Sequence, residues 1–181
     1  PPYVDAKSSK MIGRVSAVIL KDSSCDKCTD LTLVLNEIKK LGVTIVSEKA
    51  LEKDSKEGQE LINKYSIEKL PALILSKDLG VYGSDIIIAM NQIGSVEEDG
   101  RYITREVAPP YFDLDRNRVA GLVSMTVLVD KSCKECYDPN TFHKPILERM
   151  SVVFDEEKSV DISSVEGNSL IERYDIEKVP T

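Results

Sequence analysis

The chain has no tryptophan, three phenylalanines and one histidine in 181 residues, and no surplus of positive charge. Lys and Arg number 24 against 31 Asp and Glu, a formal net charge of -7. That balance leaves no basic field for phosphates, so a nucleic-acid partner is excluded and anionic membrane surfaces should be repelled. Long apolar runs are missing too. The longest weakly polar stretch, residues 119–129, is interrupted by Ser124 and Thr126, whereas a membrane-spanning helix needs roughly 20 apolar residues. Residues 1–10 lack the apolar centre of a secretory signal, so any targeting segment is expected to be removed or absent. Cysteine is scarce, with four in the chain, too few for a disulfide-scaffolded secreted domain. What remains is an ordinary soluble globular composition, 41% hydrophobic and 30% charged.

The four cysteines form two Cys-x-x-Cys pairs, Cys25/Cys28 and Cys133/Cys136, and the spacing between the pairs recurs along the chain. Pro1-Pro2-Tyr3-Val4-Asp5 matches Pro109-Pro110-Tyr111-Phe112-Asp113. Gly13, Val15, Ser16, Leu20, Asp22 and Ser24 recur at an offset of 108 as Gly121, Val123, Ser124, Leu128, Asp130 and Ser132. One insertion makes the offset 109, and Glu57-Gly58, Leu61-Ile62, Tyr65 and Ile67-Glu68-Lys69-Leu70-Pro71 recur as Glu166-Gly167, Leu170-Ile171, Tyr174 and Ile176-Glu177-Lys178-Val179-Pro180. A register held this long marks an internal repeat. The first unit is therefore residues 1–108 and the second residues 109–181, which stops one residue past its proline. The second unit is expected to be completed by residues beyond Thr181, or by a second copy that lends a strand in a swapped dimer.

Within the first unit, residues 15–20 are β-branched and free of turn formers, as a strand buried on both faces requires. Leu31, Val34, Leu35, Ile38 and Leu41 recur at helical spacing and predict a helix over 26–41, stopped by Gly42. A second strand follows at 43–46, then a polar stretch and a helix over 55–65 capped by Ser55. Pro71 opens an apolar strand at 72–75, 81–82 reads as a short fourth strand, and 85–93 as a third helix ended by Gly94. A hairpin with Asp99-Gly100 at its turn, both positions tolerant of positive φ, closes the unit with a strand at 102–104. In the second unit Pro145 falls about two turns into the helix after the cysteines, where a missing N–H and a ring clash cost about 3 kcal/mol. That helix is expected to break before Pro145.

A strand leading to Cys-x-x-Cys, then helix, strand, helix and a proline opening the next strand, resembles the thioredoxin superfamily. The doubled arrangement is most similar to the archaeal protein disulfide oxidoreductases. The resemblance covers nearly the whole chain, and the residues that carry it are the two cysteine motifs and the two Glu-Gly-to-Pro stretches. It implies an α/β, thioredoxin-like tandem repeat whose second unit ends after its proline. It also implies that Pro71 and Pro180 are cis and face the sulfurs, and a thiol–disulfide oxidoreductase, reductase- or isomerase-like. A thiolate is the nucleophile in disulfide exchange, and a helix N-terminus would stabilise it at Cys25 and Cys133. Cys28 and Cys136, about one turn on, would resolve the mixed disulfide. Three features depart from thioredoxins proper: no Trp before the motif, no Gly-Pro within it, and Ile19 and Val127 near the place of the buried acid. Substrate class and redox direction therefore do not carry over.

Other readings stand beside this one. The pairs could be inert disulfides in a thioredoxin-like array that serves as a binding or spacing module. A zinc or iron–sulfur site would need the two pairs to converge across 104 intervening residues, far more than in zinc ribbons, and no metal or other cofactor is expected. Thr141 and Lys144 place His143 on the solvated side of its helix, and Glu97-Glu98-Asp99 reads as a solvated turn. The Pro-Pro-Tyr segments read as stiff, extended connectors. Expected partners are protein thiols and disulfides or a redox protein. A cytoplasmic setting follows from the archaeal resemblance, while an anchored or exported parent stays open.

The two pairs should differ in thiolate stability. Asp26 beside Cys25 opposes ionisation, whereas Lys134 beside Cys133 favours it, with Glu135 where the first pair has Lys27. Cys133 is expected to have the lower pKa, by a margin that shrinks with salt. Alkylation against pH, in a Cys25→Ser/Cys28→Ser chain and a Cys133→Ser/Cys136→Ser chain at low ionic strength, measures both. Equal values would reject the account.

Overall fold

In the computed structural model, which describes residues 1–181, the chain separates into a unit Pro1–Ala120 and a unit Gly121–Thr181. The first begins with two short antiparallel strands, β1 (Tyr3–Val4) and β2 (Met11–Ile12), ahead of β3 (Val15–Lys21). Then follow α1 (Thr32–Lys40), β4 (Ile45–Glu52), α2 (Lys56–Tyr65), β5 (Lys69–Leu70), β6 (Ala72–Leu75), a 3-10 turn (Lys77–Val81) and α3 (Ser84–Met90). The hairpin strands β7 (Gly94–Val96) and β8 (Tyr102–Thr104) come next, and β9 (Tyr111–Asp113) and β10 (Arg118–Ala120) end the unit. Five strands make one mixed sheet in the order β4-β3-β6-β8-β7, in which β3 runs parallel to β4 and antiparallel to β6.

Alternation along the central strands sends their side chains to two separate cores. Val15, Ala17, Leu73, Leu75 and Tyr102 pack with Leu35 and Ile38 of α1 and Met90 of α3 on one face. Leu20, Ala72, Ile74 and Ile103 pack with Tyr65 of α2 and Phe112 of β9 on the other. Because both faces are covered, β6 is buried along its whole length, which is why its sequence reads as a continuous apolar run. β5 lies in a second sheet, ordered β10-β9-β5. Leu70 is paired with Phe112 of β9, and Ala72 with Leu20 of β3. Pro71 therefore stands at the junction of two hydrogen-bonded ladders, a place where a missing N–H is tolerated.

Several expectations need correction. α1 starts at Thr32, not at residue 26, because the Asp30 carboxylate accepts from the Thr32 amide at 2.8 Å and turns the chain there. β4 extends to Glu52 and absorbs the stretch read as polar linker; as an edge strand exposed along most of its length, it shows no apolar alternation. The expected strand at 81–82 is the end of the 3-10 turn, and α3 stops at Met90, with Gly94 opening β7. In the hairpin only Gly100 is left-handed, at φ 80°. The Pro-Pro pairs are cis rather than extended, and the residues after them form β1 and β9.

The second unit contains β11 (Leu122–Val129), α4 (Pro139–Arg149), β12 (Val153–Asp161) and α5 (Val165–Tyr174), with β11 and β12 parallel. Contrary to expectation, α4 runs through Pro145 and is longer than α1, 11 residues against nine. Asp138 caps it by accepting from the Asn140 amide, and Pro139 occupies its first turn, where no N–H is needed. Leu128 of β11 exchanges both backbone hydrogen bonds with Thr181, at 2.7 and 3.1 Å. No helix is long and apolar enough to cross a membrane.

Local devices recur in the two units. Ser55 caps α2 by accepting from Gly58 N at 3.0 Å, and Ser164 caps α5 from Gly167 N at 2.9 Å. A Cβ on Gly58 would collide with the Glu52 carbonyl, and one on Gly167 with the Asp161 carbonyl, so each helix can approach its strand this closely only with glycine there. Lys49 pairs with Glu57, and Lys158 with Glu166.

The acidic turn at 97–99 does more than meet solvent. Glu97 accepts from Arg105 at 2.7 Å, and Asp99 from Lys64 at 2.6 Å and the Tyr65 hydroxyl at 2.8 Å, fastening the hairpin to α2. The Lys64 hydrogen bond, then that of Tyr65, hold the Asp99 carboxyl well below the usual carboxylate range. A folded-state pKa below the unfolded value contributes stability that is full above about pH 4 and is lost as pH falls through the folded value. Asp99→Asn should lower the melting temperature at neutral pH, and the gap to the parent chain should narrow as pH falls from 5 to 3. A gap that stays constant in thermal scans would refute this anchoring role.

Candidate functional site: two cysteine loops

Both Cys-x-x-Cys pairs are disulfide-bonded, and no free cysteine remains. Each pair sits on a loop at the end of a strand, β3 in the first unit and β11 in the second. Neither lies at a helix N-terminus: α1 begins at Thr32 and α4 at Pro139. The expected macrodipole stabilisation of Cys25 and Cys133 is therefore withdrawn, since that field falls off within the first turn. The chain turns into each motif in the same way. Asp22 accepts from the Ser24 amide at 2.9 Å and hydroxyl at 2.6 Å, while its carbonyl receives the Cys25 amide at 3.1 Å. Asp130 takes the Ser132 amide at 2.8 Å and hydroxyl at 2.6 Å, and its carbonyl takes the Cys133 amide at 3.1 Å.

A cavity of about 230 Å³ in the first unit is lined by Cys25, Cys28, Leu70 and Pro71, together with Ile19 and, as its cation, Lys21. The structure thus brings three predicted residues, Cys25, Cys28 and Pro71, to one place. The Leu70–Pro71 and Val179–Pro180 bonds are cis. Cys28 packs against the core of Leu20, Leu70 and Ala72. The next residue, Thr29, ties the loop to the chain beyond β8, its amide donating to Pro110 O at 2.9 Å and its hydroxyl to Ala108 O at 2.6 Å. In the second unit Cys133, Cys136 and Pro180 line a smaller cavity of about 160 Å³ with Tyr137 and Asp138. Cys136 is exposed, whereas Cys28 is half buried.

Sequence reading passed over Asp22. Its side chain, 7% exposed, lines the first cavity, and its Oδ2 has no hydrogen-bond partner, with Lys53 Nζ 3.8 Å away. Burial pushes this carboxyl up, but the two Ser24 hydrogen bonds and the charge of Lys53 outweigh it and hold it below the ordinary carboxylate range. In the second unit Ile162 stands where Lys53 does. Ser23 and Lys131 direct their loops to the ends of β4 and β12: Ser23 N donates to Glu52 at 3.0 Å and Lys131 N to Asp161 at 3.0 Å. The signal for Asp22 was its recurrence as Asp130 three residues before each motif. No group of three or more His, Cys, Asp or Glu is placed to hold a metal ion.

No family model matches the chain, and no curated protein does. Over 93% of its length the chain is similar to a structure of a mutant alkylhydroperoxide reductase AhpF from Enterococcus faecalis, with 20% identity, 79% of that chain covered and a TM-score of 0.26. It is also similar to the isolated N-terminal domain of the same Enterococcus faecalis protein, with 19% identity, 93% and 81% of the two chains covered and a TM-score of 0.25. At such scores the likeness decides neither fold nor function.

The burial difference gives a direct expectation. After reduction, Cys136 should be alkylated faster than Cys28 at the same pH, because access as well as ionisation limits a thiol. Peptide mass mapping at short reaction times reads this, and equal or reversed rates would contradict it.

Proposed function

We propose that the chain is a thiol–disulfide oxidoreductase of two tandem thioredoxin-like units, acting on the disulfides or thiols of other proteins. The observation that carries this is the repeated pairing of an accessible Cys-x-x-Cys disulfide with a proline in the same cavity: Cys25 and Cys28 with Pro71, and Cys133 and Cys136 with Pro180. An inert structural disulfide has no need of a cleft beside it. The cavities are small and open, which suits an extended peptide strand laid across the sulfurs better than an enclosed small molecule.

In the reducing direction, the thiolate of Cys25 or Cys133 attacks one sulfur of a substrate disulfide. The substrate S–S bond breaks, its other sulfur leaves as a thiolate, and a mixed disulfide forms. Cys28 or Cys136 then attacks its partner's sulfur, closing the intramolecular disulfide and releasing the second substrate thiol. Two electrons pass from the dithiol to the substrate, whose two sulfurs each take up a proton. A dithiol of a partner protein restores the reduced pair by the reverse exchange. With no helix N-terminus at the first cysteine, its ionisation depends on local charges and backbone donors in the loop.

Insulin reduction with dithiothreitol as electron source tests the reading. The full chain should accelerate precipitation of the insulin B chain beyond the reagent alone, and Cys25→Ser/Cys133→Ser should abolish the acceleration. Cys28→Ser and Cys136→Ser should accumulate mixed disulfides with the substrate, visible as adducts on non-reducing gels. No acceleration and no adducts would leave a disulfide-pinned binding array as the better account.

A further inference from the structure

The same hairpin occurs twice in the chain. β1 and β2 pair with Tyr3 opposite Ile12, and β9 and β10 with Tyr111 opposite Ala120, the same register 108 residues on. Their turns are built alike. Asp5 accepts from the Ser8 amide at 2.7 Å and Asp113 from the Arg116 amide at 2.9 Å, and the residues of positive φ are Ser9 and Asn117, at 56° and 50°. Each hairpin passes through a glycine, Gly13 or Gly121, into the long strand that leads to a cysteine loop.

The surroundings of the two differ. β9 adds its outer edge to β5, with Phe112 opposite Leu70, Asp113 opposite Lys69, and the Leu114 amide donating to Glu68 O at 2.9 Å. Phe112 is 8% exposed and belongs to the core of Tyr65, Ile67 and Leu70. β1 pairs with β2 alone, and Val4, the counterpart of Phe112, is 60% exposed. The seat that receives β9 recurs in the second unit as residues 177–179, ahead of Pro180, and no strand occupies it there. Ile176 and Val179 are half buried where Ile67 and Leu70 are buried. One chain thus carries an unused hairpin and an unused seat for it.

We propose that the β1–β2 hairpin of one copy of this chain docks on residues 177–179 of a second copy, in the register that β9 takes on β5. Val4 then lies opposite Val179 and Asp5 opposite Lys178, and the Ala6 amide donates to Glu177 O. The inference goes beyond the redox reading and does not rest on it. Side chains on the two sides of the contact differ from the first unit together. Lys69 Nζ lies 5.4 Å from the centre of the Tyr111 ring, and Lys53 Nζ 5.2 Å from that of Phe112. Across the proposed contact the first pair is kept, as Tyr3 and Lys178. The second is lost on both sides at once: Val4 replaces the ring and Ile162 the cation, leaving aliphatic against aliphatic. Charge agrees in sign as well. Lys7 and Lys10 outnumber Asp5 on the hairpin, and Asp175 and Glu177 outnumber Lys178 at the seat, in a chain whose net charge of -7 otherwise keeps copies apart. A strand of an unrelated protein could satisfy the backbone of the seat, but it would leave these matched differences without a cause. Hairpin and seat are different surfaces, so the contact runs head to tail and closes into a ring or extends, according to the rotation it imposes.

Sedimentation velocity of the oxidised chain, up to about 1 mM to reach the weak association expected of a small contact, tests this. Denaturing gels without reductant must show the mass of one chain, so that disulfides exchanged between copies do not count. The mean mass should rise with concentration. Val4→Asp and Val179→Asp should each weaken association about tenfold or more, because each sets a carboxylate in the middle of an apolar contact. Circular dichroism checks that both variants fold. If Val179→Asp does not, Lys178→Glu, on an exposed side chain, takes its place by setting like charges opposite each other at Asp5. The decisive sample is a mixture. The Val4→Asp chain keeps a working seat and the Val179→Asp chain a working hairpin, so together they should form pairs that grow no further, while each alone stays monomeric. A parent chain that is monomeric throughout, association that survives both variants, or a mixture that forms no pairs overturns the proposal.

Discussion

The antiparallel register of β3 with β6, Leu20 opposite Ala72, is the constraint on which the first cysteine site depends. It fixes Pro71 one residue from the end of the ladder and so beside the loop that leaves β3. Slipping the register by one residue would turn Leu73 and Leu75 into the α2 face and Ala72 and Ile74 into the α1 face, exchanging two cores of different size. The site is therefore as well determined as the core is. The reciprocal bonds between Leu128 and Thr181 set the same relation beside the second pair.

Around that register the two loops are secured by different means. In the first, Asp22, Thr29 and the packing of Cys28 on the core tie the loop down at several points. In the second, the corresponding aspartate remains, but Ile162 replaces the lysine beside it, Cys136 is exposed, and Tyr137 takes over from Thr29. Two sites with the same cysteine spacing thus stand in unlike surroundings, one pair more protected and the other more open.

Much of this was legible in the sequence, for physical reasons that differ by element. The helix at 56–65 announced itself through its serine cap, a local effect, and the one at 165–174 through the repeat that maps the first onto it. β6 was legible because burial on both faces leaves no room for polar residues. β4 was not, since an edge strand with most of its side chains in water shows no apolar alternation, and only its pairing with β3 defines it. The start of α1 was misplaced because the apolar period speaks only for residues that reach the core, from Leu31 on, and says nothing about the loop before it. Pro145 misled in the other direction: α4 absorbs the lost hydrogen bond on a largely exposed helix. Tyr137 escaped notice because its partners, Pro180 and His143, are 43 and 6 residues away and meet it only in the fold.

The polar outer course of β4 has a bearing on how these molecules treat one another. A sheet that ends in an unpaired strand offers a row of free amides and carbonyls on which a foreign strand could crystallise. Here that border carries Glu48 and Lys49, each engaged by a charge from a neighbouring helix, Lys39 of α1 at 2.7 Å and Glu57 of α2. A strand arriving from solution would have to strip water and counter-charges from the margin before finding its first hydrogen bond. The chain thus guards this flank of its sheet against fibrillar growth while leaving its sulfurs open to exchange.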